Sequence, residues 1–262
     1  MDLNLSSKLA LVTAASQGLG KAAAIELARE GCNLIICSSN EEKIAKAAKE
    51  IEKISSSKVT AIKADLSDDK QIELLFNQIN KDFSGVDIVV NNAGGPPLST
   101  FESVSDEEWE KAFNLTMMSA LRISRLALPH MKKQQWGRII NISSYSVKTP
   151  VSGLFISNTI RLGVLGWAKA LSDEVAKDGI TINTVCPGST RTERINQLIK
   201  NSAENSGKSL KDAEKSMAAS IPMGRIGEPE ELASLIAYLA SEKAAYITGA
   251  AIQVDGGATR GY

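Results

Sequence analysis

Histidine is almost absent from this chain: His130 stands alone among 262 residues, and there are only three cysteines, Cys32, Cys37 and Cys186. A metal centre built on several histidines is therefore excluded, and a Ser-His-Asp triad has a single candidate base. That base lies in Leu126-Ala127-Leu128-Pro129-His130-Met131 near an expected helix end, which fits a structural role, and no metal site is expected. The cysteines show no ligand spacing, and Cys32 and Cys186 border strand-like apolar runs, so all three read as buried, inert thiols.

Net charge is lacking as well. Thirty basic residues balance 30 acidic ones, so the long-range field that draws a protein to nucleic acid or anionic lipid is missing, and neither is an expected partner. No apolar run approaches the ~18 residues of a membrane span. The opening Met1-Asp2-Leu3-Asn4-Leu5-Ser6-Ser7-Lys8 has neither the basic stretch nor the apolar core of a secretory signal, so a cytoplasmic location is expected.

What is present is an alternation of short β-branched runs with longer stretches of helical period, the pattern of a parallel sheet with crossover helices on both faces. The expected strands are 9–13, 33–37, 59–63, 88–90, 138–142, 181–185 and 251–254. This predicts an α/β fold, a Rossmann-type doubly wound sheet of seven parallel strands, formed by residues 1–262 as one domain. From Asn40 a capping residue and two glutamates introduce an apolar stripe of Ile44, Ala47, Ala48 and Ile51, a surface helix packed on the sheet. A second helical pattern runs from Asp106 to about Met131, with Pro129 and Gly137 marking its end. Residues 188–225 break the rhythm; rich in Ser, Lys, Asn and Ala, they read as a mobile insertion covering a substrate cleft.

Directly after the first strand comes Thr13-Ala14-Ala15-Ser16-Gln17-Gly18-Leu19-Gly20, then a helix-forming run. A glycine-bearing turn in this place lets backbone N–H groups and the positive helix end face a pyrophosphate. At the close of the second strand a carboxylate would select NAD by binding the ribose 2′-hydroxyl, and an arginine would select NADP. This chain has Ser38, Ser39 and Asn40, which leaves NADP or NAD, with NADP favoured because no carboxylate repels a 2′-phosphate.

With Asn91-Asn92-Ala93-Gly94 after the fourth strand, Asn114-Leu115 in the long helix, Ser144 after the fifth strand, Pro187-Gly188 after the sixth and the closing Val254-Asp255-Gly256-Gly257, the chain resembles the short-chain dehydrogenase/reductase family, nearest in pattern to β-ketoacyl-carrier-protein reductases. The resemblance implies a dinucleotide site of Thr13, Ser16, Gln17, Gly18, Leu19, Gly20, Ser38, Ser39, Asp65, Leu66, Asn91, Ala93, Gly94, Arg161, Pro187, Gly188, Thr190 and Thr192, with Asp65 at the adenine and Thr192 at the nicotinamide amide. It also implies a homotetramer, with the helices starting near Asp106 and Leu154 packing between subunits and the last strand at a second interface.

Three positions depart from the family. Ala14 stands where the pattern TGxxxGxG has its first glycine, a mismatch of about 1 kcal/mol if the backbone there needs positive φ. The family's Tyr and Lys, thirteen and seventeen residues after the serine, are here Ser157 and Arg161; Ser144 and Asn114 survive. A tyrosine of pKa about 10 is tuned toward neutrality by a nearby cation and protonates the forming alkoxide; a serine hydroxyl cannot be tuned so far, and an arginine holds its proton. Tyr145 and Lys148 stand close by as candidate substitutes, although an extended chain would turn Tyr145 away from Ser144.

Two functions follow. One is an NAD(P)-dependent oxidoreductase acting on a small carbonyl or alcohol or an acyl-thioester, with Ser144 polarising the carbonyl, Asn114 holding water, and Ser157 and Arg161 in a degenerate set. The other is a non-catalytic dinucleotide-binding relative that acts as a sensor or assembly subunit. A pocket wall of Gly95, Pro96, Pro97, Leu98, Phe155 and the insertion up to Met223 predicts an apolar substrate, and Lys132, Lys133 and Arg138 form a basic cluster that reads more simply as a solvated helix end than as a carrier-protein dock.

Overall fold

A computed structural model describes residues 2–261. Seven parallel strands, β1 (Leu9–Val12), β2 (Asn33–Ser38), β3 (Val59–Lys63), β4 (Ile88–Asn91), β5 (Gly137–Ile142), β6 (Ile180–Pro187) and β7 (Ala251–Val254), form one sheet in the order β3-β2-β1-β4-β5-β6-β7. All seven expected strands are found, with ends shifted by a residue or two.

Alternation along each central strand feeds two separate cores. On one face Val12, Ile36, Val90, Ile140 and Val185 pack against α1 (Gly18–Arg29), α2 (Glu41–Glu52) and α9 (Pro229–Ala240). Their neighbours Leu11, Ile35, Val89, Ile139 and Ile182 face α3 (Asp69–Phe83), α5 (Ser119–Gln134) and α6 (Phe155–Val175). The near-continuous apolar strands follow from this, since both faces are covered. In α2 the Asn40 side chain accepts from the Lys43 N–H at 2.8 Å, and Ile44, Ala47, Ala48 and Ile51 are buried as their spacing requires. His130 lies 3.3 Å from Asp87 through Nε2 and packs over Gly85, where a Cβ would come within 2.3 Å of its ring.

Three expectations are corrected. The helical pattern from Asp106 is interrupted: α4 (Asp106–Ala112) passes through a π-helical turn, Phe113–Met118, into α5. Pro129 does not end α5; it forgoes one hydrogen bond, but burial of Ala127 and Met131 carries the helix on until Gln135 adopts φ 55°. Residues 188–225 contain two helices, α7 (Glu193–Ser206) and α8 (Leu210–Ala219), joined at Gly207 with φ 64° and packed through Ile199, Ala203 and Ala213.

The basic cluster is divided: Lys132 and Lys133 are exposed in the last turn of α5, as a solvated helix end should be, and Arg138 is buried. Arg138 is 2% exposed, donating to the carbonyls of Gly137, Gly179 and Ser241 and pairing with Glu242, while Lys132 lies 3.8 Å from Asp178. Among the described residues no helix is long and apolar enough to cross a membrane.

The chain runs outward from β1 to β2 and β3, then returns to place β4 on the other side of β1. The connections leaving the carboxyl ends of β1 and β4 therefore diverge and open a crevice.

Cys32, Cys37 and Cys186 are fully buried, and burial pushes the first two thiols up to about 12 and the third to about 11. With so little thiolate at pH ~8, the native protein should take up no iodoacetamide, and unfolding in guanidinium should add three labels by intact mass. Rapid labelling of the native chain would contradict this burial.

Candidate active site

The crevice is organised by Thr13, the first residue past β1. Its hydroxyl donates to the Asn92 carbonyl at 2.7 Å and accepts from the Asn92 N–H at 2.8 Å, and its own N–H donates to Val90. Ala14 follows with φ 45°, in the left-handed region, so the strain expected of a Cβ at this position is present. The Ala14 carbonyl accepts from Asn92 Nδ2 at 3.2 Å. A Cβ at Gly20 would lie 2.6 Å from that same nitrogen and 2.7 Å from the Ala14 carbonyl, so only glycine allows α1 to start this close to the turn. Gln17 precedes α1 in extended backbone without a side-chain cap, an arrangement that lets the helix end receive an anion.

From this turn a cleft of about 810 Å³ runs across the carboxyl edge of the sheet. Ser16, Gln17, Gly18, Leu19, Ser38, Ser39, Asp65, Leu66, Ala93 and Gly94 line one part; Ser144, Ser157, Arg161, Pro187, Gly188, Thr190 and Thr192 line the rest. The structure brings together 17 of the 21 residues expected of the site. The other four, Thr13, Gly20, Asn91 and Asn114, lie outside the lining. Thr13 and Gly20 shape the turn from behind. Asn91 is buried, its amide donating to Ser124 and Asn141 at 3.2 and 2.9 Å, and it ties β4 to β5 and α5. Asn114 sits in the π-helical turn, where its carbonyl accepts from the Ser119 N–H.

At the adenine end implied by the family pattern, Asp65 Oδ1 accepts from the N–H and hydroxyl of Ser67 at 2.9 and 2.7 Å, which fixes its carboxylate. Ser38 donates to the Asn40 carbonyl, and no carboxylate occupies the end of β2.

At the other end, Ser144 follows β5 in extended conformation, and its Oγ accepts from the Ser146 N–H at 3.1 Å. That bond caps a turn of 3₁₀ helix, Tyr145–Val147, which breaks the strand alternation and brings half-buried Tyr145 into the cleft lining. The expectation that Tyr145 faces away therefore fails. Burial, and then the negative charge of Asp255, raise its phenol above the usual 10. Lys148 is exposed and is not part of the lining.

Ser157 and Arg161 lie one turn apart on α6, are both buried, and share the face turned to the cleft. Arg161 Nη1 donates to the carbonyls of Ile142 and Ser143, each at 3.1 Å, so the side chain ties α6 to the end of β5. Burial, helped by the positive charge of Arg194, lowers its pKa to about 10.

Arg194 is the residue that sequence reasoning missed. It stands in the first turn of α7, two residues past Thr192, within a stretch read as a polar insertion. Its guanidinium lies against Gly95, where a Cβ would be 2.1 Å from Nη1, and Nη2 donates to the Pro96 carbonyl at 2.7 Å. Pro96, Pro97, Phe155 and Met223 do not line the cleft; Leu98, Val151, Leu154, Ile195, Leu198 and Met217 form the apolar part of its wall. Phe155 turns instead to Phe101 and Trp109, with ring centroids 5.4 and 5.9 Å away.

A doubly wound parallel sheet with a glycine turn at the β1 end, opposite the switch between β1 and β4, defines a dinucleotide-binding α/β protein. The family model described as enoyl-(acyl carrier protein) reductase matches residues 13–259. The 3-oxoacyl-(acyl-carrier-protein) reductase FabG of Vibrio cholerae is 35% identical over 97% of this chain and 98% of its own length. The NADPH-dependent reductase BacG of Bacillus subtilis is 33% identical over 98% of this chain and 99% of its own. L-Sorbose reductase of Gluconobacter frateurii, solved with NADPH and L-sorbose, superposes with a TM-score of 0.97 at 30% identity, with both chains covered completely. The chain belongs to the short-chain dehydrogenase/reductase family.

Ala14→Gly should relieve the left-handed strain at some cost in unfolded-state entropy, a net gain of about 0.5–1 kcal/mol and a Tm rise of about 2 °C by calorimetry. Gly20→Ala should lower Tm and weaken dinucleotide binding together. An unchanged or lower Tm for Ala14→Gly would show that the turn is not strained.

Proposed function

We propose that the chain is an NADP(H)-dependent reductase of a ketone or 3-oxoacyl group that works slowly, with Ser157 and Arg161 in place of the usual tyrosine and lysine. The observation that carries this reading is the single cleft in which the phosphate turn, Ser144, Ser157 and Arg161 all take part. The residues present fit a dinucleotide: Gly20 admits the close turn, the start of α1 is open to an anion, and Asp65 is fixed on the cleft wall. FabG, BacG and L-sorbose reductase support the class of activity, and the two that carry NADPH in their names or crystals support that cofactor over NADH.

In this reading Ser16, Gln17, Gly18 and Leu19 hold the pyrophosphate. Ser38 and Ser39 leave room for a 2′-phosphate, Asp65 and Leu66 hold the adenine, and Ala93, Gly94, Pro187, Gly188, Thr190 and Thr192 hold the nicotinamide half. The bound cofactor supplies the hydride. Ser144 donates a hydrogen bond to the carbonyl oxygen, and the Ser157 hydroxyl stands at the developing alkoxide. Arg161 stabilises that negative charge and keeps its proton, so the proton that completes the alcohol would pass from the Ser157 hydroxyl and be replaced from water, without an acid tuned to neutral pH. Losing such an acid costs about 10²–10⁴ in rate. Asn114, behind the lining in the π-helical turn, would hold a water of the proton path.

Residues 188–225 are read as the cover of the substrate end, within one domain of 1–262. The exposed Phe101, Phe113 and Leu162 beside α4 and α6, and Tyr246 before β7, fit the contacts of a homotetramer in the cytoplasm; a monomer in equilibrium sedimentation would remove that part. The second reading, a dinucleotide-binding subunit without turnover, is favoured by one observation: Arg161 uses its bonds to hold backbone.

Fluorescence titration should give tighter binding of NADPH than of NADH, and absorbance at the nicotinamide band should show slow turnover with a panel of ketones, aldehydes and acyl thioesters. Binding without turnover supports the second reading; no binding of either cofactor overturns both. Ser157→Tyr combined with Arg161→Lys should raise kcat by about 10², whereas Tyr145→Phe should change it less than about threefold because the raised phenol is a poor match to neutral chemistry. For the native chain, kcat/KM should be flat between about pH 6 and 9, since Arg161 stays charged below about 10 and Tyr145, raised above 10, stays neutral. A bell-shaped profile in that window would require another acid.

A further inference from the structure

Arg194 differs from the arginines around it. Arg191 is paired with Glu214 and Glu228 at 2.6 and 3.1 Å, and Arg225 with Glu231 at 2.6 Å. Among the described residues no carboxylate lies within the 4.0 Å of an ion pair from Arg194, and its one hydrogen bond goes to a neutral carbonyl, that of Pro96. The guanidinium nevertheless projects from α7 into the cleft lining and crosses to the loop after β4, in the space that a side chain at position 95 would fill. Around it Leu98, Ile195 and Leu198 make an apolar wall, and the exposed Glu193 also reaches the lining without coming within ion-pair distance of Arg194. Arg194 is itself exposed at the cleft, and a cation there with spare donors and part of its hydration removed is a site for an anion.

Resting on the reductase reading above, we propose that Arg194 is the substrate's anion-binding residue and that the substrate is a keto acid: an apolar body bearing a free carboxylate, with its carbonyl near Ser144. Nη2 uses one of its two N–H bonds on Pro96, and Nη1 and Nε have no hydrogen-bond partner among the described residues, so the second N–H of Nη2 together with its neighbour on that edge can meet a carboxylate's two oxygens. The one other cation of the cleft, Arg161, already donates to two carbonyls, so the free charge matches a monoanion better than a phosphate dianion. A carrier-bound thioester, whose acyl end is neutral, would leave Arg194 without a partner.

The test compares 4-phenyl-2-oxobutanoate with its ethyl ester, by saturation-transfer NMR competition, on the full chain with and without NADPH. The acid should bind about tenfold or more tightly than the ester. Arg194→Met should erase that preference and Arg194→Lys should keep part of it, with NADPH affinity changed less than about twofold in both. Equal binding of acid and ester by the native chain overturns the proposal. So does a loss of NADPH affinity in Arg194→Met as large as the loss for the acid, which would assign the guanidinium to the cofactor's pyrophosphate. Absence of NADPH binding would remove the reductase reading alone, because the preference for acid over ester is also measured without cofactor.

Discussion

The two hydrogen bonds between the Thr13 hydroxyl and the backbone of Asn92 join the ends of β1 and β4, and the geometry of the cleft depends on that joint. Where the connections beyond these paired strands diverge, the Thr13 N–H and hydroxyl also reach the Val90 carbonyl, and the Asn92 amide reaches back to the Ala14 carbonyl. The same amide nitrogen is what a Cβ at Gly20 would strike. Threonine, asparagine and glycine are therefore coupled: the first sets the separation of the strands, the second fills it, and the third lets the helix close on it. Ala14 is held at φ 45° by neighbours bonded on both sides, the condition under which a strained residue persists.

The chemical end of the cleft has a different logic. Arg161 is buried with bonds to the carbonyls of Ile142 and Ser143, the last residues before Ser144. These bonds offset part of the cost of burying the charge and fix the direction in which Ser144 leaves the sheet. The arginine thus shapes the serine that would polarise a carbonyl, whatever it contributes to charge at the reacting atoms. Both bonds leave the one nitrogen Nη1, so the other donors of the guanidinium are not used on this backbone.

How much was legible in the sequence follows from the range of the forces involved. Strand positions and the α2 stripe were readable because period and burial are local properties of consecutive residues, and Ile44, Ala47, Ala48 and Ile51 are buried as their spacing demands. The register of Ser157 and Arg161 was readable because residues four apart share a helix face. Pro129 misled because its cost of one hydrogen bond is smaller than the burial of Met131, a tertiary term. Tyr145 misled because the Ser144 hydroxyl caps a turn and ends the alternation one residue early. Arg138 looked like surface charge beside two lysines, yet the carbonyls of Gly179 and Ser241, 41 and 103 residues away, accept from it along with that of neighbouring Gly137. Arg194 gave no local signal, since its meaning comes from Gly95 and Pro96, about 98 residues earlier in the chain.

Charge balance links the two ends of the cleft. The whole chain is neutral, yet the lining is not uniform: the turn offers an uncapped helix start, Asp65 is fixed on Ser67, and burial together with the positive charge of Arg194 lowers the pKa of Arg161. Arg161 is buried and Arg194 exposed, and the carboxylates of Asp65 and Glu193 share the lining, so solvent and countercharge screen the repulsion between the two cations. In the proposed reading, negative charge would relieve it further, as a developing alkoxide beside Arg161 or as a carboxylate beside Arg194. Under the proposed reductase reading the two cations would favour the charge distribution of a reduction in progress over a neutral ketone, and such a differential is the form in which binding energy accelerates a reaction. For a site lacking a tuned acid, that electrostatic preference would be the main resource left to the fold.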